Sequence, residues 1–410
     1  MKKKLLTVLV ALAVLLALAV PNVLAVPYKD PGVSISESID IQFPWDAETL
    51  VKGDSNTYDL NLAVGAGALC AAVESGTAVA EDALGDLSLP GTVAHYGYGA
   101  NTSSVAHTIA LQPISVDGND YNLITVVGRG SMSLTDIMTD ITPGAFSQNA
   151  DVVLTNLKGF LADNGLALND PANRYFVTGH SLGGAVANIV AHRLATENSV
   201  LRTAIYGYTY ASPWTANKTD SDAGVDKNIF NLVGGSTVFS QAFDNFCWGS
   251  DETWSNVSDS ASSLLTEWMS KRRYGTDKVF DNQDNAFKVA YEALTGIAYD
   301  ANGTLAKHLV TTYLAYILAD QTLAVSVEDG IRTVAINGGA LPTEPVTEPT
   351  EPVTEPTEPV TEPTEPVTEP TQPVTEPTKP SGGSSGGGIF GFFTSIVKSI
   401  TSIFRSIFRW

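Results

Sequence analysis

One serine of this chain stands where a protein can present a nucleophile. Ser181 lies in GHSLGG, between the β-branched run RYFVTG and an apolar-periodic run that begins at Leu182. A strand that reverses sharply into a helix exposes the hydroxyl at the turn, and flanking glycines permit the close packing. The helix N-terminus adds backbone N–H groups and a positive dipole end, which suit an oxyanion. The segment predicts a nucleophile elbow that attacks carbonyl carbons; the alternative is a glycine-rich turn with an incidental serine.

The serine needs a base that accepts its proton, and imidazole is the usual one because its pKa lies near neutrality. The sequence holds five histidines, which are His95, His107, His180, His192 and His308. Nucleophile elbows precede the acid and the histidine in chain order, which leaves His192 and His308. His192 lies along the predicted elbow helix itself, about 16 Å from the serine at 1.5 Å per residue. His308 is the predicted base by elimination. We expect His95 and His107 to be loop or strand residues, and His180 to shape the elbow.

Helices and strands alternate through the segment that must position these groups. Helical spacing of apolar residues recurs at 57–85, 150–164, 182–198 and 285–294. The strand-like runs are RYFVTG, AIYGYTYAS and NIFNLV, preceded by HTIALQPISV and NLITVVGRG, a predicted hairpin around Asp117-Gly118-Asn119-Asp120. The alternation predicts an α/β fold with a mostly parallel central sheet and helices on both faces.

Taken together, these motifs resemble the class 3 lipases, the fungal-lipase-like family of α/β-hydrolases. Besides GHSLGG, the resemblance rests on GRGSMSLTDIMTD, YTYASP, KRRYGTD and the histidine helix that ends in TTYLAY, and it covers residues 57–320. It implies an α/β-hydrolase fold and serine ester hydrolysis, which requires no cofactor. It also implies two oxyanion donors: Ser131, the hydroxyl residue after Arg-Gly, and the backbone N–H of Leu182.

The chain departs from the family pattern at the acid. The family carries an aspartate after a strand like NIFNLV, whereas Ser236 or Thr237 occupies that place here. Asp244 is the predicted acid that orients His308, with Asp226 and Asp251 as reserves. A Ser–His dyad assisted by water or by Asn245 remains the alternative.

An apolar insertion follows the same strand. Residues 239–269 contain phenylalanines, tryptophans and leucines among serines and acids. A mobile flap over the site and an ordinary insertion packed on the body are both consistent with this composition.

Composition divides the chain into four segments. Residues 1–25 hold three lysines, an apolar run and a small-residue cleavage site, which predicts a secretory signal peptide; a retained membrane anchor is the alternative. Residues 26–342 form the predicted hydrolase domain. Residues 343–388 are a Thr-Glu-Pro repeat and a Gly/Ser linker, predicted to form a stiff disordered stalk with a flexible joint.

The C-terminal segment, residues 389–410, places aromatic and aliphatic residues on one helical stripe and lysine, arginine, serine and threonine on the other. Such a cationic amphipathic helix suits a membrane interface, so we expect membrane or cell-envelope association. Docking on a partner's apolar groove and folding back on the body are the alternatives.

Charge and cysteine content narrow the function classes. Asp and Glu number 44 against 23 Lys and Arg, giving a formal net charge of −21. An acidic surface repels phosphate backbones, which argues against nucleic acid as substrate or partner. Cys70 and Cys247 are the two cysteines; the sequence leaves open a disulfide or two buried thiols, and neither lies in a metal or catalytic motif.

The sequence therefore predicts a secreted serine ester hydrolase, a lipase or esterase acting on acylglycerols or related lipid esters through an acyl-enzyme on Ser181. We expect it to be extracellular, with possible surface association through residues 389–410. A degenerate hydrolase that serves as a non-catalytic surface or binding module is the second hypothesis. A protease or acyltransferase on the same scaffold is a weaker third.

Overall fold

The computed structural model describes residues 38–98, 105–130, 143–217, 224–234, 271–280, 283–299 and 308–337. All of them belong to the first of two units, Met1–Val346 and Thr347–Trp410. Several predictions therefore lie outside the described residues: the signal peptide, the stalk, the C-terminal helix and the apolar insertion 239–269.

A seven-stranded sheet forms the centre of this unit. Its strands are β2 Thr92–Tyr96, β3 His107–Val116, β4 Asn119–Gly128, β5 Asn173–His180, β6 Ile205–Tyr210, β8 Ile229–Gly234 and β10 Thr276–Phe280. Their order in the sheet is β10-β8-β6-β5-β4-β3-β2. Every pair from β4 to β10 is parallel, and only β2–β3 and β3–β4 are antiparallel. The predicted mostly parallel sheet is confirmed.

Helices cover both faces of this sheet. They are α1 Thr49–Lys52, α2 Leu60–Ser75, α3 Thr77–Asp86, α4 Pro143–Asp163, α5 Ser181–Thr196, α6 Asn285–Thr295 and α7 Val310–Leu318. Helices α4 and α5 pack in one apolar core, and α2, α3, α6 and α7 pack in the other. Alternate residues of β5 serve the two cores, since Tyr175 and Val177 face the first and Phe176 the second. The predicted α/β-hydrolase layering is confirmed.

The β3–β4 hairpin closes through two residues rather than four. Asp117 and Gly118 both have positive φ, 51° and 78°, and Val116 pairs directly with Asn119. Such a pair of left-handed residues matches the twist of the flanking strands. The turn prediction was right in place and too long by two residues.

The single helix predicted over 57–85 is two helices. Asp59 caps α2 by accepting from the Leu62 N–H, and Gly76 separates α2 from α3 with φ of 135°. A side chain at that φ would be strained, so the glycine marks the break. Helical spacing continued across the break because both helices bury apolar residues in the same core.

A second, smaller sheet was not predicted. β1 Ser38–Gln42 pairs in parallel with β12 Ile331–Ile336, which pairs antiparallel with β11 Leu323–Glu328. Among the described residues, a third sheet pairs β7 Ala216–Asn217 with β9 Lys271–Arg272. Within the described ranges, no helix is both long and apolar enough to cross a membrane.

Candidate active site

The predicted elbow is a real turn of the backbone. β5 ends at His180 and α5 begins at Ser181, which has φ of 53°. A non-glycine residue in the left-handed region costs on the order of 1–3 kcal/mol and persists only where its surroundings impose it. This turn places Ser181 at the carboxyl edge of the sheet, which is where a nucleophile elbow presents its serine.

Close backbone contacts impose this turn. A Cβ on Gly183 would lie 2.2 Å from the Gly128 carbonyl oxygen, and one on Gly179 would lie 2.3 Å from the Gly183 carbonyl oxygen. Gly128 is the last residue of β4, which neighbours β5. The glycines of GHSLGG therefore let the first turn of α5 lie directly against the ends of two strands.

The predicted base lies beside the predicted nucleophile. His308 Nε2 is 2.9 Å from Ser181 Oγ, although the two residues are 127 positions apart. His308 is 7% exposed and lies two positions before α7, next to the N-cap residue Leu309. A serine hydroxyl that donates to Nε2 requires the neutral ring with its proton on Nδ1, which is the state that accepts the serine proton.

The predicted oxyanion donors are placed only in part. Leu182 is the second residue of α5 and is buried in the core between α5 and the sheet. Its backbone N–H belongs to the first helical turn, where N–H groups have no partner within the helix. Ser131 lies outside the described residues, which end at Gly130 on that side.

The structure does not test the predicted acid and it excludes one reserve. Asp244, Asp251, Ser236 and Thr237 lie outside the described residues. Asp226 is 1% exposed and lies 2.8 Å, Oδ2 to Nδ1, from His192, and it also pairs with Arg202. It precedes β8, so it occupies the amino edge of a parallel sheet whose carboxyl edge carries Ser181. Asp226 is the wrong residue for an acid beside His308.

The other histidines have local partners. His95 on β2 lies 2.9 Å from Glu81 Oε1 through Nε2 and 2.9 Å from Thr108 Oγ1 through Nδ1. His107 on β3 is fully buried, donates from Nδ1 to the Val105 carbonyl, and burial lowers its pKa. Neither ring is at the elbow.

A buried carboxylate that the sequence analysis missed lies behind the elbow. Glu74 in the last turn of α2 places Oε1 2.7 Å from His180 Nδ1, and His180 Nε2 lies 2.7 Å from the His308 carbonyl oxygen. The two side chains are 9% and 7% exposed. The available signal was that Glu74 is the one charged residue in the helix LNLAVGAGALCAAVES.

The structure shows the state of one of the two cysteines. Cys70 is a free, buried thiol whose Sγ lies 3.2 Å from Thr178 Oγ1. Burial raises its pKa well above the usual range, which keeps the thiol protonated. Cys70 is thus a core residue rather than half of a disulfide. Among the residues that the structure covers, no three His, Cys, Asp or Glu side chains converge as a metal site.

Comparison with known proteins assigns the segment around the elbow. Residues 125–234 match the family model described as Lipase (class 3). This stretch, called the class 3 lipase segment below, is the part of the chain that is similar to that family. The class 3 lipase segment runs from β4 through the elbow to the end of β8, so it contains Ser131 and Ser181 but neither Asp244 nor His308.

Solved structures give weaker likenesses. A triacylglyceride lipase of Rhizomucor miehei is 21% identical over 36% of this chain and 59% of its own, with a TM-score of 0.27. A triacylglycerol lipase whose catalytic centre is a serine protease triad is 17% identical over 55% and 80%, with a TM-score of 0.34. A lipase of Rhizopus microsporus var. chinensis is 18% identical over 52% and 75%, with a TM-score of 0.31.

The chain thus spans 59% of the length of the Rhizomucor miehei lipase that it matches. No curated protein sequence matches it. The roles of individual side chains therefore rest on the geometry of this chain.

Proposed function

We propose that this protein is a secreted serine carboxyl-ester hydrolase acting on acylglycerols or related lipid esters. The observation that carries the proposal is the 2.9 Å distance between His308 Nε2 and Ser181 Oγ, at a serine held with φ of 53°. A nucleophile and a base within hydrogen-bond reach at a sharp strand-to-helix turn are the core of nucleophilic acyl transfer. The class 3 lipase segment supports an ester as the substrate.

The reaction has two halves. Ser181 Oγ attacks the ester carbonyl while His308 Nε2 takes its proton, and the tetrahedral oxyanion is held by the backbone N–H of Leu182 and by Ser131. His308 then donates the proton to the leaving alcohol, which leaves an acyl group on Ser181. In the second half His308 removes a proton from water, the hydroxide attacks the acyl carbonyl, and the proton returns to Ser181 Oγ as the acid departs.

Ester hydrolysis by the purified mature protein tests this proposal. Ser181→Ala should reduce hydrolysis of a short-chain p-nitrophenyl ester by about 10³-fold or more, because attack by water must replace the nucleophile. Ser199→Ala is the matched control. Ser199 also has positive φ, 59°, but it is exposed and lies beyond the C-terminal end of α5. Equal loss in both variants, or none in either, would contradict the proposal.

A comparison of substrates tests the lipid assignment. We expect emulsified long-chain acylglycerols to be hydrolysed, with Ser181→Ala as the blank. Turnover confined to soluble short-chain esters would reject the lipase assignment and keep the esterase chemistry.

We propose Asp244 as the acid that accepts from His308 Nδ1–H and stabilises the imidazolium. It is the first carboxylate after β8, where Ser236 and Thr237 replace the expected aspartate. Asp244→Asn should lower kcat by about 10²- to 10⁴-fold without changing KM, and Asp251→Asn serves as the neighbouring control. An undiminished Asp244→Asn enzyme would favour the Ser–His dyad.

The segments outside the hydrolase domain supply the proposed location. Residues 1–25 are proposed as a signal peptide, so the secreted protein should begin near Val26, which N-terminal sequencing of culture supernatant would check. An intact Met1 in the membrane fraction would instead indicate a retained anchor.

Residues 389–410 are proposed to hold the enzyme at a membrane or cell envelope. In the full mature chain, Phe404→Asp with Phe408→Asp should abolish binding to anionic vesicles, because the pair lies on the apolar stripe. Ser402→Asp with Ser406→Asp adds the same charge to the polar face and should weaken binding only modestly. Equal losses from the two pairs would show that charge alone governs the attachment.

A non-catalytic binding module is the second candidate, favoured by the serine and threonine that stand in place of the expected acid. A folded wild-type protein that hydrolyses no ester in these assays would support it.

A further inference from the structure

The side chains behind the elbow form a chain of contacts that ends on the base. Glu74 Oε1 lies 2.7 Å from His180 Nδ1, and His180 Nε2 lies 2.7 Å from the His308 carbonyl oxygen. The ring centroids of His180 and His308 are 5.0 Å apart. Because both members of the Glu74–His180 pair are nearly buried, water competes little for these bonds.

The partners fix where the protons of His180 lie. A carbonyl oxygen only accepts, so Nε2 of His180 must carry a proton and donate it to His308. Nδ1 faces a carboxylate oxygen, and two lone pairs cannot face each other at hydrogen-bond distance. One further proton therefore lies between Nδ1 and Glu74 Oε1, and the pair is electrically neutral whichever atom holds it.

The same pair also lies against Gly130, two residues after the end of β4. A Cβ on Gly130 would lie 2.6 Å from Glu74 Oε1 and 3.2 Å from His180 Nδ1. Because Gly130 has no side chain, the Glu74–His180 pair can occupy this space. Gly130 directly precedes Ser131 in the sequence. The Glu74–His180 pair thus contacts Gly130 and the His308 main chain, and His180 directly precedes Ser181 in the chain.

We propose that Glu74 and His180 are positioning residues that hold the His308 ring against Ser181. The inference rests on the proposed function, because it assigns the pair a role in the reaction of that serine. His308 stands ahead of α7 rather than inside it, so the helix does not fix its main chain by itself. The bond from His180 Nε2–H to the His308 carbonyl supplies that restraint, and the Glu74 side chain, by bonding Nδ1, keeps a proton on Nε2. A displacement of about 1 Å in such a group costs about 10²-fold in rate.

Replacement of each member tests the proposal in the full mature protein. His180→Phe keeps an aromatic ring but removes the N–H donor. Glu74→Ala removes the partner of Nδ1, so the ring proton is no longer held on Nε2. Both should lower kcat for a soluble ester by about 10- to 100-fold with KM unchanged. Glu74→Gln should stay within about 3-fold of wild type, because its amide N–H can donate to Nδ1 while Nε2 keeps its proton.

The His95–Glu81 pair provides the matched control. Its atoms lie 2.9 Å apart, and it lies on β2 and α3, away from the elbow. His95→Phe and Glu81→Ala should leave kcat unchanged. A kcat for His180→Phe above half of the wild-type value would overturn the positioning role, whereas an inactive wild type would overturn the proposed function as well.

A double-mutant cycle separates positioning from general stability. If His180 acts through His308, His180→Phe should reduce the residual rate of His308→Ala by less than about 2-fold. A full, multiplicative loss in that background would show that His180 acts independently of His308.

Nitrogen-15 NMR of histidine-labelled protein adds a readout that does not depend on activity or on His180→Phe folding. The signal of His180, identified by its shift in Glu74→Gln, should report a protonated Nε2. A His180 ring with Nε2 unprotonated would contradict the bond to the His308 carbonyl and overturn the proposal.

Discussion

Helix α5 carries a buried histidine–carboxylate pair near each end, and the two pairs differ in what lies beyond the histidine. At the N-cap position, His180 bonds Glu74 on one side and the His308 main chain on the other. Four residues before the helix ends at Thr196, His192 bonds Asp226 through Nδ1 and stacks on Tyr274 with ring centroids 3.6 Å apart. Both pairs have short bonds and little exposure.

The comparison shows that a histidine beside a buried carboxylate is not by itself a sign of catalysis. Asp226 also receives Arg202, so its charge is balanced by an ordinary ion pair. His180 instead donates its second hydrogen bond to the His308 carbonyl, and His308 contacts Ser181. What the histidine contacts besides its carboxylate, and not the pair itself, distinguishes a structural pair from one that belongs to a candidate active site.

Removal of the imidazole beside Ser181 and of the imidazole beside Asp226 should give the largest difference between the two ends of the helix. His308→Ala should reduce ester hydrolysis by about 10³-fold or more, because the serine loses its base. His192→Ala should leave kcat within about 2-fold, since its ring lies on the amino side of the sheet. Steady-state kinetics on the two variants measures this, and a large kcat loss in His192→Ala would contradict the division.

The His192–Asp226 pair should contribute to the free energy of unfolding rather than to activity. Asp226→Ala leaves Arg202 and His192 without their carboxylate; because Arg202 is 32% exposed, the loss should be about 2 kcal/mol, below that of a fully buried pair. Urea unfolding would measure the change. A stability within about 0.5 kcal/mol of wild type would show that solvent already screens this pair.

Activity should be sensitive to steric crowding of the Glu74–His180 pair. Gly130→Ala places a Cβ against Glu74 Oε1, so kcat should fall by about 10-fold as the pair shifts. Gly159→Ala is the control, because its Cβ would meet nothing within 4 Å and alanine suits the interior of α4. Equal activity in both variants would mean that the Glu74–His180 pair moves without affecting His308.

The smallest expected effect is at the stacked ring. Tyr274→Leu removes the face that covers His192 and should cost about 1 kcal/mol of unfolding free energy. Activity should not change, and calorimetry with a kinetic check would verify both. A fall in kcat would connect the amino side of the sheet to the site.

The elbow was predictable because it is local. Strand, glycines, serine and helix follow one another along the chain, so their order alone fixes the turn. His308 followed from chain order and from the length of a helix. The exclusion of Asp226 was also within reach of the sequence, since a residue before a parallel strand lies at the edge opposite the site.

Long-range contacts were not predictable in the same way. Glu74 is 106 positions from His180, and the apolar helix around it indicated only packing. The pairing of β1 with β12 joins Ser38 to Ile331, and neither strand has a periodic signal that names its partner. Such contacts depend on how the layers close, which composition and spacing do not encode.

Covalent labelling with a fluorophosphonate probe tests the central claim most directly, because it reads the nucleophilicity of Ser181 without assuming a substrate. The wild-type protein should be labelled at Ser181, Ser181→Ala should not be labelled, His308→Ala should be labelled at a much lower rate, and Ser199→Ala should behave as wild type. A folded wild-type protein that resists the probe, or a Ser181→Ala variant that still reacts, would contradict the account.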